Sequence, residues 1–181
     1  MAASTRRPAA EDARKPRLGI SACLLGARVR YDGGHKLDRV LRNALGRHVE
    51  FIPICPETGC GLGVPREPMQ LAGNAAKPAL RVHGTGPDLA PRLRAWTRDC
   101  LAELGGKRLC GFVFKSKSPS CGLRDTRMHD STGGVTGTGS GIFAKAFTAR
   151  FPALPVTDEN RLKTAAARRR FLKRVTTACR K

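Results

Sequence analysis

Leu109-Cys110-Gly111-Phe112-Val113-Phe114 is an unbroken apolar run of six residues, fenced by Lys107-Arg108 before it and Lys115 after it. A run with no polar alternation is the pattern of a strand buried on both faces, as in a parallel sheet covered by helices on either side. Working outward, Leu18 to Ala22 and Val49 to Ile54 are further short strands, and Leu154-Pro155-Val156 reads as an edge strand. Between them, Leu37, Val40, Leu41, Ala44 and Leu45 recur at the three and four spacing of an amphipathic helix that Gly46 stops. Asp88 reads as the N-cap of a helix through Leu104, with Leu89, Leu93, Trp96, Cys100 and Leu104 on one face and Pro91 in its first turn. Another helix begins at Ile142 after the glycine-rich stretch Gly133 to Gly141, its first amides available to an anion. The Gly- and Pro-rich residues 59–87 read as an ordered surface excursion with a minor strand at Ala79 to Val82. The alternation predicts an α/β fold: a single layered domain with a mostly parallel sheet flanked by helices, plus a basic C-terminal helix.

With 181 residues, 40% of them apolar, the chain is long enough for one domain with its own core and too short for two ordinary ones. Residues 1–16 read as a flexible basic leader, 17–157 as the α/β domain and 158–181 as a basic helical tail. No stretch approaches the roughly 18 to 20 apolar residues of a membrane span, and Met1 to Pro16 lacks the hydrophobic region of a secretory signal. A cytoplasmic protein without a membrane partner is expected. The formal net charge is +20. Residues 161–181 hold nine basic and no acidic side chains, and residues 1–17 a net three, leaving eight on the rest. Such a tail attracts polyanions in a salt-dependent way.

Seven cysteines in a cytoplasmic chain argue for free thiols, a metal or catalysis before disulfides, and no CxxC pair occurs among them. Cys100 on the helical face and Cys110 within the apolar strand read as structural, and Cys179 as peripheral. Cys23, Cys55 and Cys121 each follow a predicted strand. Ligands of open α/β sheets bind outside the carboxyl ends of the strands, so these three thiols can converge although 32 and 66 residues separate them. Three thiolates suit a soft metal, either an iron-sulfur cluster with one iron left open or a zinc holding water. Cys60, five residues past Cys55, is an alternative to it as ligand, with Cys55 favoured. Glu57, two residues past Cys55, is a candidate general acid or base. Ser118 and Ser120 are candidates for binding substrate oxygens or for capping loop amides. His35, His48, His83 and His129 have no ligand-like spacing.

Three separated motifs then carry a family resemblance. Ser21-Ala22-Cys23-Leu24-Leu25-Gly26 with Arg30-Tyr31-Asp32-Gly33, Cys55-Pro56-Glu57 leading to Gly61-Leu62 and Pro65-Arg66, and Ser118-Pro119-Ser120-Cys121-Gly122 resemble the thiouracil and thiouridine desulfidases over roughly residues 17–156. The resemblance implies a [4Fe-4S] cluster held by Cys23, Cys55 and Cys121, with Glu57 as acid or base and Ser120 as a weaker catalytic candidate. It implies a thiolated pyrimidine base or nucleoside as substrate and a non-redox exchange of sulfur for oxygen. The tail adds tRNA as an expected partner. Two competing readings are a zinc-dependent nucleobase hydrolase or deaminase, which would usually show P-C-x-x-C, and a non-catalytic RNA-binding module, for which one Trp and one Tyr offer few stacking platforms.

Overall fold

The computed structural model describes residues 15–82 and 86–180. Most of the expected leader, and His83, lie outside them. Strand β1 (Arg17–Ser21) leads into a 3-10 turn at Ala22–Leu25, then come helix α1 (Arg39–Gly46), β2 (Glu50–Ile54) and the single-turn α2 (Pro56–Gly59). Next are β3 (Met69–Ala72), β4 (Ala79–Val82), α3 (Ala90–Gly105), β5 (Leu109–Phe114), β6 (Thr126–His129) and β7 (Val135–Gly139). Helix α4 (Ile142–Arg150), β8 (Val156–Asp158), a second 3-10 turn at Glu159–Leu162 and α5 (Ala165–Cys179) complete the order.

The main sheet runs β2-β1-β5-β8, with every pairing parallel. All six residues of β5 are buried, as its composition requires. Pro53 sits in β2, an edge strand, where a missing N–H costs no ladder bond. The register between β1 and β5 slips between Arg17 and Gly19, so Cys110 and Val113 face one layer while Phe112 and Phe114 face the other. On the first face, Leu41 and Leu45 of α1 and Phe171 and Val175 of α5 pack on Leu18, Ile20 and Val113. On the second, Leu101 and Leu104 of α3 and Phe143 and Phe147 of α4 pack on the stacked pair Phe112 and Phe114, whose ring centroids are 4.1 Å apart. Phe112 lies over Gly19, where an added Cβ would stand 2.2 Å from a ring carbon, so β1 accepts only glycine there without displacing that ring.

Three details depart from expectation. Val40 is 60% exposed, because α1 starts at Arg39, with Asp38 accepting the Leu41 N–H, and turns only Leu41 and Leu45 inward. Helix α3 buries Thr97 and Leu101, while Trp96 and Cys100 are only partly covered, since Trp96 spans the junction with a second sheet. That second sheet, ordered β4-β3-β6-β7, is the larger difference. The excursion supplies the expected strand at Ala79–Val82 as β4 and, beyond expectation, β3, the glycine-rich segment supplies β7, and Leu71, Leu80 and Met128 join Leu93 and Ile142 in a core of their own.

The cysteine arithmetic also changes. Cys110 is disulfide-bonded to Cys179, fastening the end of α5 to the start of β5, and the other five cysteines are free. The basic tail is thus a docked helix. Among the described residues no helix is long and apolar enough to cross a membrane.

Candidate active site

The carboxyl ends of β1, β2 and β5 open into one cavity of about 320 Å³, lined by Cys23, Cys55, Cys121 and Glu57 among others. Each thiol is placed by a short local device. Cys23 lies in the 3-10 turn that follows β1 directly, and its carbonyl accepts the Gly26 and Lys36 N–H groups. Cys55 is the N-cap of α2, where Pro56 supplies the fixed φ that starts the turn and brings Glu57 alongside.

Cys121 sits in a loop locked from three sides. The Ser118 hydroxyl accepts the N–H groups of Ser120 and Cys121, and Thr126 donates to the Ser118 carbonyl at 2.8 Å. The first amides of α4 donate to the carbonyls of Pro119 and Ser120, so that helix terminus is spent on the cysteine loop and is not free for an anion. Gly141 permits this approach: a Cβ there would lie 2.5 Å from the Ser120 carbonyl carbon and 2.7 Å from the Cys121 nitrogen.

Glu57 is held at both oxygens. Ser120, fully buried, donates its hydroxyl to Oε1 at 2.9 Å, and Arg66 Nη2 forms an ion pair with Oε2. The Ser120 hydroxyl therefore positions Glu57, and Ser118 serves as a loop cap. Arg66 also donates to the carbonyls of Val29 and Gly63, which ties the excursion to the loop after Cys23. Cys60 turns away: its sulfur donates to the Glu57 carbonyl at 3.3 Å and packs with Leu71 and Leu93 beneath the second sheet.

The electrostatics are lopsided. Arg30, Lys36, Arg66, Lys115 and Lys117 line the cavity with Glu57 as its one carboxylate. Burial pushes the Cys23 thiol up to about 11, with Cys55 adding to the rise and Lys115 and Arg30 opposing it. Burial raises Cys121 well above the ordinary thiol range, with a hydrogen bond from Ser21 working the other way. Lys115, the first residue beyond β5, is steered by Glu159 and by the Ser116 hydroxyl, while its backbone N–H donates to Ser21 Oγ at 2.9 Å. Sequence reasoning gave Lys115 and Glu159 no role. Their pairing across 44 residues leaves no local signal, and Arg66, though part of the second motif, had no partner legible from the sequence.

Over residues 18–159 the chain matches the 2-thiouracil desulfurase family. It belongs to that family. The desulfurase match takes in all three motif segments and the main sheet from Leu18 onward. An uncharacterised protein of Bacillus subtilis (strain 168), YbbK, is 28% identical over 131 residues, which cover 69% of this chain and 85% of that one. Among solved structures, a [4Fe-4S]-dependent thiouracil desulfidase, TudS, superposes with a TM-score of 0.66 at 27% identity, covering 86% of this chain and 99% of the other.

Proposed function

We propose that this chain is a [4Fe-4S]-dependent thiouracil desulfidase whose cluster is held by Cys23, Cys55 and Cys121. The observation that carries the reading is the convergence of three thiols, from three separate strand ends, on the cavity that also receives Glu57. The donor set fits such a group. Soft thiolates suit iron-sulfur clusters. Arg30, Lys36, Arg66, Lys115 and Lys117 around the cavity, three of them shared with carboxylates, favour the negative charge that thiolates at the buried Cys23 and Cys121 and the half-buried Cys55 would bring.

When bound, such a cluster supplies an open, thiophilic iron for the departing sulfur. The chain's own residues handle the proton and the geometry. Glu57, held by Arg66 and Ser120, takes a proton from the water that attacks the thiocarbonyl carbon and returns it to the departing group. One thiocarbonyl and one water give one carbonyl and one hydrogen sulfide, with the C–S electron pair leaving on sulfur, so no reductant is consumed. The test is anaerobic purification followed by iron and acid-labile sulfide analysis, with 2-thiouracil supplied without reductant. Bound iron with labile sulfide, and uracil formed with sulfide, are expected. Zinc without labile sulfide, and no uracil, would overturn the reading.

The same chemistry extends to 4-thiouridine, free or in tRNA, and the course of α5 bears on the RNA case. Asn160, just before α5, donates to Ser116 Oγ at the cavity edge, and Cys179 at the helix end meets Cys110 at the opposite edge of the sheet. The helix thus carries the exposed Arg169, Arg170, Lys173 and Arg174 away from the cavity over about 22 Å. Because Phe171 and Val175 are core residues, the test keeps the helix and replaces those four cations with Gln. Turnover of free thiouracil should stay within about twofold. Binding to thiolated tRNA should weaken, its salt dependence flattening by nearly one logarithmic unit of slope per lost phosphate contact. An unchanged slope would reject RNA recruitment by this helix.

A further inference from the structure

We propose that Arg30 reads the carbonyl group that a thiolated pyrimidine keeps on its ring beside the thiocarbonyl, donating its Nε–H to that oxygen with Arg66 as a second donor. This rests on the desulfidase reading and goes beyond it, by naming what in the cavity selects the ring. Four buried side-chain N or O atoms among the described residues lack a hydrogen-bond partner, and two of them are Arg30 Nε and Arg66 Nε. Both arginines line the cavity. A buried donor left unpaired is uncommon enough to need a reason, and two on one cavity wall share one: an acceptor that arrives with the ligand.

Each guanidinium is anchored at a point other than its Nε, Arg30 through one terminal nitrogen and Arg66 through both. Arg30 Nη2 pairs with Asp32 Oδ2 at 3.2 Å, and its guanidinium carbon stands 5.2 Å from the centre of the Tyr31 ring. Arg66 is fixed by Glu57, Val29 and Gly63. The two neighbourhoods are joined, because the Arg66 backbone N–H donates to the Tyr31 carbonyl at 2.8 Å. Arg30 lines the same cavity as Cys23, Cys55 and Cys121, so a ring held by it shares that space with the thiols. A planar carbonyl oxygen offers in-plane lone pairs to fixed N–H donors of this kind, and a ring without that oxygen leaves them empty.

Equilibrium dialysis of the anaerobically purified protein against uracil and against pyrimidin-2-one, which lacks the second carbonyl, tests this directly. The wild type should bind uracil tenfold or more tightly than pyrimidin-2-one, the scale of a hydrogen bond to a charged group. Arg30→Met should close the gap to within about threefold. Arg30→Lys keeps the charge without the Nε–H and should close it as well, which guards against a result due to misfolding of the Met variant. In turnover, both variants should raise KM for 2-thiouracil more than they lower kcat. Equal binding of both rings by the wild type, or a gap that survives in both variants, would overturn the assignment. A wild type that prefers uracil through Arg30 yet desulfurates no thiopyrimidine would uphold it while removing the desulfidase reading.

Discussion

Replacing Cys23, Cys55 or Cys121 with Ala, one at a time, is expected to leave protein with little bound iron or acid-labile sulfide after anaerobic reconstitution and no measurable desulfuration. Cys60→Ala and Cys100→Ala should retain both. The contrast follows from placement: the first three thiols line the cavity at the carboxyl ends of β1, β2 and β5, whereas Cys60 packs beneath the second sheet and Cys100 lies on α3. One substitution is enough, since among the described residues the cavity offers no fourth cysteine that would take the place of the one removed. Iron analysis and visible absorbance read the outcome. Full iron in the Cys55 variant together with loss in the Cys60 variant would exchange the two assignments.

Glu57→Gln is the second large effect. The amide keeps the size of the side chain and can still accept from Ser120, but it gives up the ion pair with Arg66 and the ability to carry a proton. Desulfuration should fall by roughly 100-fold or more, the scale of losing a general acid or base, with iron content unchanged. Anaerobic turnover assays paired with iron analysis separate the alternatives. Unchanged turnover would reduce Glu57 to a loop carboxylate, and lost iron would make its role the support of neighbouring ligands.

The main sheet was legible because its signal is local. Leu109 to Phe114 has no polar residue to place on a solvent face, and the helices around it repeat their apolar positions at helical spacing. Of the second sheet only β4 was, because Thr126 to His129 and Val135 to Gly139 are four and five residues long and polar or glycine-rich, β6 becoming a strand by pairing with the distant β3 and β7 by folding back on β6. For the candidate site, a cysteine after each strand was readable as a position at the sheet's carboxyl edge. What surrounds those thiols was not: Arg66 on Glu57, Glu159 on Lys115 and the α4 amides on the Ser120 loop are all contacts between distant segments. The disulfide was missed for the same reason, since 69 residues separate Cys110 from Cys179.

The bond between Cys179 and Cys110 also settles which side of the molecule is available for handling. Because it pins the end of α5 to the amino-terminal edge of β5, a peptide joined beyond Arg180 leaves from the side of the sheet opposite the cavity. A fusion partner or surface tether attached there would leave the cavity mouth facing solution, so the protein can be immobilised by that end with small substrates still free to enter.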